Sequence, residues 1–164
     1  MTRRTKLIFF CGKMAAGKST LAKKLAHDHQ AVLLVQDELL TSLFPEEITD
    51  IPTFVKYSTR LREALESHIC ALLSRGISVV LDFPANTTKQ RSWFRHLFQR
   101  AGVEHELHFI DVPDDVCKFQ LRQRSAALPA GSPFTSEAEF DAITSHFQEP
   151  SDEEGFNVIH HRHA

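Results

Sequence analysis

Two hydrophobic periods alternate along the chain. Lys6–Cys11 is a short apolar run that stops at Gly12, as expected for a strand buried on both faces of a parallel sheet. Over Ser19–His29 the period changes: Leu21, Ala22 and Leu25 share one helical face, and Lys23 and Lys24 lie off it. Ala31–Gln36 reads as a second buried strand, and Leu39–Phe44 as a short helix. Val55–Arg75 carries Leu61, Leu65, Ile69 and Leu72 at helical spacing and closes at Gly76. Ile77–Asp82 is a third strand. Thr88–Arg100 is a helix with Trp93, Phe94, Leu97 and Phe98 as its apolar stripe, stopping at Gly102, and Thr87 is placed to cap it.

Glu106–Val112 is a fourth strand, and Asp114–Arg124 a helix with an acidic cap after Pro113. Leu128–Ser136, with two prolines and a glycine, reads as a loop. Glu137–Phe147 is helical by Phe140, Ile143 and Phe147, and Phe156–Ile159 is the last strand. Strand and helix alternating in this way predict an α/β fold, a mostly parallel sheet of about five strands with helices on both faces. In such sheets ligands bind at the carboxyl ends of the strands, so the residues there carry the functional argument.

Composition narrows the picture. The chain has 164 residues, 42% hydrophobic and 24% charged, enough for one domain over 1–164 with a substantial core. Its formal charge of −2 gives no global positive field for nucleic acid. The apolar runs Leu7–Cys11 and Ala31–Val35 are far short of the ~20 residues that span a bilayer. Cys11, Cys70 and Cys117 are odd in number and fall in apolar segments, as buried thiols in a reducing compartment would. The expectation is a cytoplasmic protein, a monomer or weak dimer.

The first strand runs into Gly12-Lys13-Met14-Ala15-Ala16-Gly17-Lys18-Ser19, followed by Thr20, which fits G-x-x-x-x-G-K-[ST] in its proper strand–loop–helix setting. The two glycines let the backbone wrap phosphates, and the helix N-terminus aims amide N–H groups at them. Lys18 supplies a full charge to the β- and γ-phosphates, and the Ser19 hydroxyl can ligate Mg²⁺. The motif predicts nucleoside triphosphate binding over Gly12–Thr20. No guanine-recognition signature is present, so ATP is the expected nucleotide.

Asp37 closes the second strand and Asp82 the third. A carboxylate at one strand end can take a proton from an attacking hydroxyl, and one at the other can hold Mg²⁺ or its waters. Asp37 also stands where it could cap the helix at Leu39–Phe44. Asn86 is placed to reach substrate or to serve the turn. An arginine over the γ-phosphate would spread charge in the transition state, and Arg91, Arg122 and Arg124 are the candidates. Arg122 and Arg124 point about 200° apart on a helix, so one at most dominates. Arg60 and Arg62 could line an acceptor pocket, bounded by Leu39–Arg62 and Phe83–Arg91, although Phe44, Phe54, Tyr57 and Phe83 also suit the core. His160 and His161 point to opposite faces of a strand, which disfavours one tight metal site in the His160–His163 tail.

These features resemble a family of small P-loop kinases grouped as AAA domain 33 type ATP-binding proteins, relatives of zeta toxins, chloramphenicol phosphotransferase and polynucleotide 5′-hydroxyl kinases. The resemblance rests on Gly12–Thr20, Asp37, Val79-Val80-Leu81-Asp82, Thr88–Trp93, Ile110-Asp111-Val112-Pro113, Leu121 with Arg124, and Phe147–Pro150. It implies binding of ATP with Mg²⁺, transfer of the γ-phosphoryl group to a hydroxyl, Asp37 as base, Arg124 as lid arginine, and Phe147–Pro150 beside the adenine. Polynucleotide kinases carry an arginine three residues after the base, where this chain has Leu40. Many relatives carry one four residues before the lid arginine, where it has Gln120. The first departure, with the charge of −2, favours a small-molecule acceptor over a nucleic acid. The second thins the positive charge over the phosphates, as in a slow or non-catalytic ATP-binding module.

Overall fold

The computed structural model describes residues 4–126 and 137–162. The strands β1 (Lys6–Cys11), β2 (Val32–Val35), β3 (Val79–Pro84), β4 (Glu104–Asp111) and β5 (Val158–Arg162) form one sheet in the order β2-β3-β1-β4-β5, with every neighbouring pair parallel. The helices are α1 (Lys18–His29), α2 (Gln36–Leu43), α3 (Ile51–Ser74), α4 (Thr88–Ala101), α5 (Asp114–Ala126) and α6 (Glu137–Thr144). A single 3-10 turn, Asp152–Glu154, precedes β5. The expected α/β class and parallel sheet are observed. The loop expected over Leu128–Ser136 and residue His163 lie outside the described residues.

Alternation along the apolar strands splits the core in two. Leu7, Phe9 and Cys11 of β1 join Leu81 and Phe83 of β3 and the apolar faces of α3 and α4. Ile8 and Phe10 point to the opposite face, against Ala22 and Ala26 of α1, Cys117 and Leu121 of α5, and Phe140 of α6. Phe9 stacks on Phe94 at 4.5 Å between ring centroids, pinning α4 to the centre of the sheet. Phe44, Phe54 and Tyr57 pack against the same core as Phe83, as their core reading expected.

Several element ends differ from the sequence expectation. α3 begins at Ile51, because Asp50 caps it: the Thr53 amide donates to the Asp50 carboxylate at 2.8 Å, and Pro52 sits in the first turn. β3 runs two residues past Asp82, since a register shift between Phe9 and Phe10 lets Phe10 pair with Pro84. Asp37 does not cap a helix: α2 starts one residue earlier, at Gln36, with Val35 as its cap and no side-chain cap bond. Asp114 is the first residue of α5, with its carboxylate 2.5 Å from Lys13 Nζ. Thr87 caps α4 as expected, accepting from the Gln90 amide.

Candidate active site

The loop between β1 and α1 is shaped by close backbone approach. A Cβ at Gly12 would meet the Ile110 carbonyl oxygen of β4 at 3.2 Å, and Gly17 holds φ +106° where α1 begins. Asn86, in the loop after β3, accepts the Gly12 amide at 2.9 Å and so fastens the phosphate-type loop to the neighbouring strand end. Its own carbonyl accepts from the Gln148 amide at 2.8 Å. Asn86 is therefore a loop anchor, the turn role considered for it.

Lys18 folds back under the loop, with Nζ donating to the Gly12 carbonyl at 2.6 Å. Burial pushes its ammonium below the ordinary lysine value, opposed by the charges of Asp82 and Asp37. The Ser19 hydroxyl, one residue on, donates to Asp82 Oδ2 at 2.8 Å. β2 pairs with β3 so that Val35 lies opposite Asp82, which brings Asp37, two residues past β2, to the same end of the sheet.

These groups converge on one cleft of about 130 Å³, lined by residues 14–19, Asp37, Asp82, Phe83, Pro84 and Arg124. Asp37 stands at its open side with much of its surface accessible. The cleft walls nonetheless strip water from its carboxyl and push its pKa up. The Asp82 charge adds to that shift, and Lys18 and Arg124 oppose it. Two carboxylates and two cations thus face one space: a base, a pair of hard oxygen donors, and positive charge from two directions. That set can receive a polyphosphate, activate a hydroxyl and stabilise charge moving between them.

Of the three arginine candidates, the cleft receives Arg124, in the last turn of α5. Arg122 points away and pairs with Glu137 at 2.6 Å. Arg91 is wholly buried: Nε and Nη2 meet the two Glu154 carboxylate oxygens at 2.8 and 2.9 Å, and Nη1 donates to the Ala85 carbonyl at 2.9 Å. It is a structural clamp with no reach to a phosphate. Sequence reading missed this role because Glu154 lies 63 residues away. His160 and His161 do diverge, His160 to Asp111 at 2.9 Å and His161 to His108 at 2.8 Å. Among the described residues no group of three or more His, Cys, Asp or Glu side chains could hold a metal ion. Thr20 is exposed in the first turn of α1, beside the cleft.

Similar proteins share this arrangement of strands and helices. The structure aligns with a candidate kinase from Chloroflexus aurantiacus j-10-fl at TM-score 0.73 and 19% identity, covering 98% of this chain and 89% of that one. It aligns with the Mycobacterium tuberculosis APS kinase CysC, in complex with AMPPNP and APS, at 0.66 and 22%, covering 97% and 88%. A gluconokinase from Sinorhizobium meliloti 1021 aligns at 0.62 and 17%, covering 98% and 83%. At these identities the likeness shows the fold, which is that of P-loop kinases. No curated protein sequence matches the chain. The AAA domain profile AAA_33 matches residues 7–150, and the chain belongs to that family.

Proposed function

We propose that this protein is an ATP-dependent kinase that transfers the γ-phosphoryl group to a hydroxyl of a small molecule. The observation that carries the reading is the convergence of Lys18, Ser19, Asp82, Asp37 and Arg124 on one cleft at the carboxyl ends of β1, β2 and β3. The Gly12–Ser19 loop and the N-terminus of α1 would hold the triphosphate, with Lys18 swinging from the Gly12 carbonyl to its β- and γ-oxygens. The Phe147–Pro150 segment would cover the adenine. Its placement supports this, since Phe147 lies under Lys13 Nζ at 5.7 Å and Gln148 is tied to Asn86 and Thr88.

Ser19 and Asp82 offer the hydroxyl and carboxylate oxygens that Mg²⁺ prefers, and their 2.8 Å contact supports a shared place at one ion. When bound, the ion would neutralise phosphate charge. Asp37 would take the proton of the acceptor hydroxyl as that oxygen bonds to the γ-phosphorus. The β–γ bridging P–O bond breaks, and its electron pair leaves with ADP. Arg124 would meet the charge on the equatorial oxygens. The APS kinase and gluconokinase of the same fold, together with the near-neutral charge of the chain, support a small acceptor.

The test is acceptor-dependent ADP release across a panel of small alcohols, for the protein and for Asp37→Asn. Transfer should be lost in the variant while ATP affinity stays within about threefold. Transfer that survives the substitution removes Asp37 as the base. Nucleotide binding without a phosphorylated product from any acceptor overturns the kinase reading.

A further inference from the structure

Three cations on the first half of α3 are among those of the described residues that lie without a close carboxylate. Arg4, Lys6, Lys13, Arg91, Lys118 and Arg122 each have a carboxylate within 4.0 Å, and Glu66, farther along α3, pairs with His96 and Arg100. Among the described residues, Lys56, Arg60 and Arg62 have none. Lys56 and Arg60 are exposed, lying over the Tyr57 ring at 5.5 and 5.7 Å, where water solvates them.

Arg62 is different because it is half-buried. Its guanidinium lies over the Trp93 ring at 6.0 Å, and among the described residues its hydrogen bond is a long contact of 3.5 Å to Thr59 Oγ1. Burial lowers its pKa, with Glu63 the one charge opposing that shift. A guanidinium has five N–H donors in a rigid planar fork, and one long contact leaves most of that fork open to a ligand.

Its place in the fold points to the acceptor. α3 leads into β3, which ends at the cleft, so the first half of α3 lies level with the carboxyl ends of the strands. Trp93 stacks on Phe83 at 5.8 Å, and Phe83 is a wall of the cleft, on the sheet face opposite α1. Two stacked rings, Trp93 and Phe83, therefore separate Arg62 from the cleft, on the side away from the phosphate-type loop. The α2–α3–β3 junction leaves a second polar group unmatched. Gln36, one turn before Leu40 on the face of α2 that meets this core, is 1% exposed, and among the described residues neither of its amide atoms has a partner.

We propose that Arg62 sets acceptor specificity, receiving an anionic group (a carboxylate, sulfate or phosphate) on the small hydroxyl compound that the kinase phosphorylates. The inference rests on the kinase reading and names the substrate class of the same site. Trp93 forms the apolar floor beneath the fork, and Lys56 and Arg60 bias the field toward an incoming anion. Because the Phe83–Trp93 pair stands between the cleft and Arg62, the anionic group and the phosphorylated hydroxyl lie several bonds apart on the acceptor. A neutral polyol would leave the guanidinium unpaired.

Trp93 is the one tryptophan of the chain, so its emission reports directly on the group above it. The experiment titrates the full chain with d-gluconate, with d-glucitol, which replaces the carboxylate by a neutral CH₂OH, and with inorganic sulfate. It repeats the titrations on Arg62→Met and Arg62→Lys. Gluconate or sulfate should change Trp93 emission saturably, and glucitol should not. The dissociation constant should rise at least tenfold in Arg62→Met, which keeps an unbranched stem on the ring, and by less in Arg62→Lys. Far-UV circular dichroism and melting temperature check that the variants fold. If Arg62→Met does not fold, Arg62→Lys and the gluconate–glucitol pair still decide. No saturable response to either anion, equal responses to gluconate and glucitol, or an Arg62-independent affinity overturns the proposal. Failure of Asp37-dependent transfer would instead overturn the kinase reading and leave this titration unchanged.

Discussion

The Ser19 hydroxyl donates to Asp82 Oδ2 at 2.8 Å, joining the first turn of α1 to the end of β3 across the floor of the cleft. Both atoms are hard oxygen donors, and one of the two residues carries a charge. Asp82→Asn keeps an oxygen that can accept from Ser19 and removes that charge, so the local fold should persist. Nucleotide affinity measured calorimetrically with Mg²⁺ should fall at least tenfold in Asp82→Asn. In excess chelator the variant and the parent should bind alike. An equal response to Mg²⁺ in both proteins would remove Asp82 from the metal site.

Asp37 gives a prediction in which stability and activity move in opposite directions. Burial first, and the Asp82 charge second, raise its pKa in the folded state above the ordinary aspartate value. The folded protein therefore holds this proton more tightly than the unfolded chain does. The associated stability is present below the unfolded pKa and is lost as pH rises through the folded one. At neutral pH the ionised carboxylate opposes folding, and Asp37→Asn should raise the melting temperature by about 1–2 °C, a small rise because the group is largely solvated. The difference should vanish below about pH 3, where both states are protonated. The transfer rate of the unmodified protein should climb with pH through the same raised value. A melting temperature unchanged by Asp37→Asn at neutral pH would show the carboxylate to be unstrained.

The parallel α/β sheet and the loop that lines the cleft were largely legible in the residues, because strand, helix and loop signals are local, whereas the strand order β2-β3-β1-β4-β5 came only from the structure. β1 matches its apolar run residue for residue, and the loop motif places Lys18 and Ser19 by spacing alone. What the pattern did not carry depends on partners remote in sequence. Pro84 belongs to β3 through a register shift in β1, and Asn86 is an anchor because Gly12, 74 residues earlier, offers its amide. Arg91 has the spacing of a helix-surface arginine near the cleft, and only the return of the chain at Glu154 makes it a buried clamp. The start of α3 is a different case. Asp50, Pro52 and Thr53 form a local capping signal, outweighed in the reading by the stronger apolar period that begins farther along.

Arg91 and Glu154 form the buried charge pair that ties α4 to the turn before β5, and its two parallel N–H···O bonds make it a geometric as well as an electrostatic link. Desolvation pushes the Glu154 carboxyl up, and the hydrogen bonds from Arg91 and from the Ser151 amide outweigh that push, holding it below the usual glutamate range. Removing the arginine leaves a half-buried carboxylate and the Ala85 carbonyl without their partner. Arg91→Met should therefore destabilise the protein by about 3–5 kcal/mol in urea denaturation. The double variant Arg91→Met/Glu154→Gln removes the orphaned charge and should recover part of that loss. A fully additive double variant would mean that the two residues act independently. The sign in acid is also set: a depressed carboxylate contributes stability above its unfolded pKa and loses it as pH falls through the folded one. Glu154→Gln should accordingly flatten the acid limb of the stability curve below about pH 4.5, and an unchanged limb would assign acid sensitivity to other carboxylates.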